Sequence, residues 1–241
     1  MQLQVTHLQE QRTDYDTRNA IQSLTPGLHP TFTRSLQSID RLPPTRLARA
    51  KRVLRWVVCA EHPMSLRELS DAVAVPDMQQ SWDRSRCLNK PISLIEDCFH
   101  LVHCTDISGN SGDAKVQLIH SSVKEFLLQD PMVLGSSLTG YHIYPLPDAQ
   151  VTIAEDCLKY LHLIAIAPPQ VLQVIDPVGI YQHIEDRHPF LTYASEFWPQ
   201  HLRASGSSGE KSVFTFCEFM QTPRSRKFWS ECYNRKRYAS P

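Results

Sequence analysis

Apolar residues recur at helical spacing along most of the chain, and alternate at period two only near the middle. Thr45 to Val58 places Leu47, Ala50, Val53, Leu54, Val57 and Val58 on one face and Arg49, Lys51, Arg52 and Arg55 on the rest. Trp56 falls opposite Leu47, so it needs a second packing surface from another segment. Upstream, Thr17 to Ile39 reads as helix, turn, helix. Ile21 and Leu24 close the first helix before Pro26-Gly27, and Phe32, Leu36 and Ile39 stripe the second. Downstream, Ser65 and Glu68 have capping-box spacing and open a helix carrying Leu66, Leu69, Ala72 and Val73. Pro91 fits the first turn of the next helix, whose buried side is expected to be Ile92, Ile95 and Phe99.

The alternation comes next. Leu101 to Cys104 and Val116 to Ile119 read as strands on either side of a flexible Ser108–Asp113 turn. The second strand hands over to a helix within His120 and Ser121. Ser122 and Glu125 repeat the capping-box spacing, and Val123, Phe126 and Leu127 form the apolar side beyond them. Three helices followed by a hairpin is the plan of a winged helix, here with an added helix from Ser122 to Gln129. Beyond Pro131 the pattern is helical and proline-punctuated. Asp148 to Leu163 carries Val151, Ala154, Leu158 and Leu161, and Pro189 to Trp198 is short and aromatic. Ser205–Gly209 reads as a plain linker, and Val213, Phe216, Phe219 and Met220 as a last amphipathic helix. The fold class is therefore mainly α: a winged helix domain with a small β-hairpin, flanked by α-helical segments. Its expected units are residues 1–42, 43–135 and 136–241.

Composition adds exclusions. Twenty-five basic and 25 acidic residues cancel, so no global charge draws the chain to nucleic acid or an anionic membrane. The segment from Thr222 departs from this balance, with six Lys/Arg against one acid. Leu161 to Ala167, the longest apolar patch, is too short to span a bilayer. The N-terminal residues lack the basic and apolar regions of a secretory signal. Seven cysteines at irregular spacing, without Cys-x-x-Cys, fit reduced thiols in a cytoplasmic protein.

Four features invite chemistry. Gly206–Ser212 resembles a phosphate loop, but Glu210 separates Gly209 from Lys211 and adds a carboxylate where an anion should sit. Cys98, His100, His103 and Cys104 crowd together, yet a strand sends His103 away from His100 and Cys104, so packed thiols and ordinary histidines are the expectation. His120-Ser121-Ser122 lacks a nucleophile elbow, and capping is a sufficient role for Ser122. The third helix of a winged helix can read DNA, but Pro91–Phe99 holds two acids and no base. No catalytic residue, cofactor site or metal site is assigned.

The blocks also resemble, in one order, a single family. Asn19–Phe32, with Leu24-Thr-Pro-Gly-Leu28, is similar to the closing helices of fungal NACHT-type NTPase modules. Val53–Leu69 resembles the first two helices of the winged helix that follows NACHT, often named after GPI inositol-deacylase. Val116–Leu128 resembles that domain's most recognisable block, carried here by His120, Ser122, Val123, Lys124, Glu125, Phe126 and Leu127. Ala149–Leu161 and Phe190–His201 resemble the helical segment before ankyrin or other repeats. The resemblance implies that residues 1–42 close a NACHT-like module and that residues 136–241 lead toward repeats. It implies a STAND-class switch whose P-loop core lies upstream and whose sensing repeats lie downstream. The partners would be proteins, including the NACHT and repeat regions themselves, with no small-molecule substrate. A nucleic-acid-binding winged helix is the alternative.

Overall fold

The computed structural model describes residues 29–78, 80–105, 112–129, 141, 143, 146–166 and 186–239. The expected helix over Ile21 and Leu24 and most of the Ser108–Asp113 turn lie outside them. The element order is α1 (His29–Asp40), α2 (Pro44–Cys59), α3 (Leu66–Ala74), α4 (Ser93–Glu96), β1 (Val102–Thr105), β2 (Lys115–Leu118), α5 (Ser121–Leu127), α6 (Leu146–Ala165), α7 (Leu191–Ala204), α8 (Val213–Gln221) and α9 (Pro223–Ala239). The protein is mainly α-helical, with a winged helix flanked by helices.

The winged helix forms for local reasons. Pro44 starts α2, where its missing N–H costs nothing. The α3 capping box is complete: the Glu68 amide donates to Ser65 Oγ at 3.2 Å and the Ser65 amide to Glu68 Oε2 at 2.6 Å. β1 and β2 pair antiparallel, with Val102 opposite Leu118 and Cys104 opposite Val116 on the inward face. His103, Thr105, Lys115 and Gln117 occupy the other face. A single bridge, Ser65 to Lys115, ties the start of α3 to the wing. The Val116 amide donates to the Met64 carbonyl and the Leu66 amide to Ala114. Gly112 accepts from the Arg67 amide, and a Cβ there would lie 2.6 Å from Arg67 Cδ, so a larger residue would have to displace the Arg67 side chain.

The third helix departs from expectation. It is a single turn, and Ile92 is exposed, while Leu94 and Cys98 are buried and Ile95 and Phe99 only half-buried. Phe99 and His100 both take left-handed backbone, φ 43° and 64°, so helical backbone cannot continue through them. Asp97 is buried and grips the Arg46 guanidinium through Nε and Nη2, so it locks α4 to the start of α2.

Beyond the wing, α6 is buried on nearly all sides and forms the axis of the remaining helices. Gly206–Ser212 is not a linker: it is an ordered 3-10 helix packed on α6 and α7, with Ser205 fully buried. The basic segment from Pro223 is helical as well, and α9, not α8, is the last helix. Pro199 sits inside α7 and cannot donate to the Ser195 carbonyl. Trp229 Nε1–H of α9 donates there instead, at 3.0 Å. One hydrophobic cluster runs from Phe32 to Cys232 and joins the winged helix to the helices after it. No helix among the described residues is long and apolar enough to cross a membrane.

Candidate functional site

The His120–Leu127 block is a hinge between wing and helix, though not with the expected cap. His120, in extended backbone, is the N-cap of α5. Its Nδ1 accepts from the Ser122 amide at 3.1 Å and lies 2.8 Å from Ser122 Oγ. A ring nitrogen that accepts from an N–H carries no proton, so the imidazole proton sits on Nε2. Ser122 is thus the second helical residue, not the cap, and the Ser122–Glu125 capping box does not form because α5 begins two residues earlier than a Ser122 cap requires. Lys124 and Glu125 are exposed. Val123, Phe126 and Leu127 are buried, and the Phe126 ring meets Phe32 of α1 at 5.5 Å. Lys124 edges a groove of about 220 Å³ floored by Val57, Val58, Met64 and Leu118.

The most constructed region is the seam between the winged helix and α6–α7. Trp56, 1% exposed, points out of α2 and is met edge-on by Phe190 at 5.2 Å and Tyr193 at 5.8 Å. This is the second packing surface that its place on the helix requires. A buried polar chain runs behind the rings. The Glu61 amide donates to Tyr193 Oη at 3.0 Å, and Tyr193 Oη lies 2.9 Å from His201 Nε2. His201 Nδ1 meets Gln150 Oε1, and Gln150 Nε2 reaches the Cys59 carbonyl at 3.5 Å. One proton order satisfies every member: Tyr193 donates to Nε2, Nδ1–H donates to Gln150, and the Gln150 amide donates to Cys59. His201 is therefore neutral, and burial alone lowers its pKa to about 4.

A second polar contact crosses the seam at α3. Asp71, 1% exposed, accepts from Arg84 Nη1 at 2.7 Å and from Tyr160 Oη of α6 at 3.1 Å. Burial raises its pKa to about 6, and the neighbouring Arg84 and Tyr160 offset only part of that. Trp82 and His188 stand edge-on to Tyr160 at 4.7 and 6.3 Å. Burial and the charge of Arg84 lower the His188 pKa to about 4. Arg67 Nη2 donates to the Asp186 carbonyl at 2.7 Å, a further tie from α3 to the segment before α7.

The other singled-out residues do not converge. Cys98 is buried and its thiol donates to the Leu94 carbonyl at 3.2 Å, with its pKa pushed up by burial. His100 is exposed, and His103 and Cys104 occupy opposite faces of β1. Among the described residues, no three His, Cys, Asp or Glu side chains gather as metal ligands. The cysteines are all free, and Cys59 and Cys157 are buried as their apolar neighbours imply. His201, Gln150, Tyr193, Asp71 and Tyr160 were not singled out from the sequence. Trp56 was the one signal that the seam exists.

The three-helix order, the hairpin and the strand bridge at Ser65 define a winged helix domain with further helices packed against α2 and α3. Residues 44–139 match the family model described as GPI inositol-deacylase, winged helix domain. No curated protein and no solved structure matches the chain.

Proposed function

We propose that the chain is a non-catalytic regulatory segment of a NACHT/STAND-type signalling protein in the cytoplasm, acting through protein contacts and linking a nucleotide switch to sensing repeats. The observation that supports this most is the seam. α2 and α3 turn their outer residues, Trp56 and Asp71, into contacts with α6 and α7, so a displacement of the winged helix carries those helices with it. The matched domain is one found in NACHT-type proteins. The third helix is ill-suited to DNA: it is one turn long, with Glu96 exposed and Asp97 engaged by Arg46.

The test reads the transcript on both sides of this coding segment and then joins the chain to what is found. An in-frame upstream P-loop module supports the proposal. So does slower amide exchange at Glu61 and Tyr193 in that longer protein when ADP replaces ATP. Flanking transcription-factor elements would overturn it in favour of a DNA-binding winged helix. So would salt-dependent duplex binding abolished by charge reversal at Lys90 and Lys115. The chain alone is expected to give no heat with magnesium-ATP in calorimetry.

A further inference from the structure

Charge in this protein is segregated. Residues 223–241 hold six of the 25 basic residues and one of the 25 acids, so they carry +5 and the rest of the chain −5. The basic residues fall on α9, whose apolar side is already committed. Ser225, Phe228 and Cys232 are buried, and Trp229 is bonded to Ser195. The helix is therefore fixed, and its apolar side is not free to enter a bilayer.

Helix stability does not explain the placement. Arg224, Arg226 and Lys227 lie in the first turn and a residue beyond, at the positive end of the helix dipole, with no acid in that turn. All three are exposed. Glu231 is the single acid of the helix, 4.0 Å from Lys227. Helical spacing aligns Arg226, Ser230 and Tyr233 in one stripe, at steps of four and three. Tyr233 closes it, 37% exposed and with one side of its ring 5.9 Å from the Trp229 ring.

We propose that the outer face of α9 binds single-stranded nucleic acid, its cations on phosphates and Tyr233 stacked on a base. Four of the six cations are arginines, whose planar fork matches phosphate. An aromatic ring beside exposed cations is the pattern that recognises unpaired bases. This surface is separate from the DNA-facing side of a winged helix and does not depend on the signalling role above.

The test is fluorescence anisotropy of the full chain with a labelled oligothymidylate. Binding through four phosphates should weaken about 50-fold between 50 and 200 mM salt. Arg226→Glu with Lys227→Glu should lower affinity at least about tenfold and flatten the salt slope. Tyr233→Ala should lower affinity about fivefold or more without changing that slope. All of these residues are exposed, so unchanged melting curves serve as the folding control. Absence of binding at 50 mM salt would overturn the proposal. Affinity indifferent to both variants would overturn it too, as would equal binding of polyglutamate or of phosphatidylserine vesicles unaffected by Tyr233→Ala.

Discussion

His201 makes the seam sensitive to acid. Its ring is fully buried. Its neighbours are Tyr193 on its own helix, Gln150 on α6 and Trp56 on α2, and none of them is charged. Nothing compensates an imidazolium there. A base that ordinarily titrates near 6.5 is held to about 4. The unfolded chain therefore binds the proton first, and stability is lost as pH falls from 6.5 toward 4. The full difference is about 3 kcal/mol, and about 2 kcal/mol of it is gone by pH 5. Other groups titrate in the same range. His188 acts in the same direction, whereas Asp71, raised to about 6, and Asp156, raised to about 7, favour the folded state at lower pH. The assay is thus a difference measurement. His201→Gln can accept from Tyr193 and donate to Gln150 but cannot titrate. Urea denaturation of both proteins at pH 7, 6 and 5 should show the native advantage over the variant shrinking by about 2 kcal/mol. Parallel pH profiles for the two proteins would refute the buried neutral chain.

Four further outcomes are expected. Trp56→Ala should cost about 3–5 kcal/mol and speed trypsin cleavage at Arg187 and Arg203; a melting temperature lowered by less than about 2 °C would contradict the packing. Trp229→Phe removes the donor that replaces the Pro199 amide at the Ser195 carbonyl and should cost about 1–3 kcal/mol in chemical denaturation. His120→Ala should destabilise by about 1 kcal/mol and Ser122→Ala by a few tenths, the reverse of what a Ser122 cap requires. Phe126→Ala should cost about 3–5 kcal/mol, and a double-mutant cycle with Phe32 should return about 0.5–1.5 kcal/mol of coupling.

The legible parts of the fold are those whose cause is local. The stripe of α2, the capping box at Ser65, the paired strands and the length of α6 all follow from residues within a few positions of one another, and each appears where the spacing puts it. The expected third helix is shorter than its spacing suggests: left-handed backbone at Phe99 and His100 bars its continuation, and Leu94 and Cys98 are buried in place of the expected stripe. The cap of α5 shifted because an imidazole did the work of a hydroxyl, which lies outside the usual cap residues. The Ser205–Gly209 segment has linker composition, yet neighbouring helices supply its order. Small polar residues signal freedom only when nothing packs on them.

The seam was illegible for a different reason. His201 and Gln150 are 51 positions apart, and Tyr160 and Asp71 are 89. No period or motif links residues across such distances, and each alone reads as an ordinary surface polar group. What the sequence does hold is an excess: Trp56 lies on the wrong side of an otherwise complete amphipathic helix. A large apolar ring placed away from the core stripe demands either exposure or a partner, and a tryptophan left in water forgoes about 3 kcal/mol. The partner's chemistry is foreseeable in outline, since an edge-on aromatic shell such as Phe190 and Tyr193 is the packing that an indole favours. The polar chain then follows from burial. Once Phe190 and Tyr193 cover Trp56, the Tyr193 hydroxyl and the Cys59 carbonyl are cut off from water and must be satisfied from within. His201 and Gln150 are the residues that do so. The Tyr193–His201–Gln150 chain is thus a consequence of one misplaced indole, which adds its packing to the separate ties that Asp71 and Arg67 make from α3.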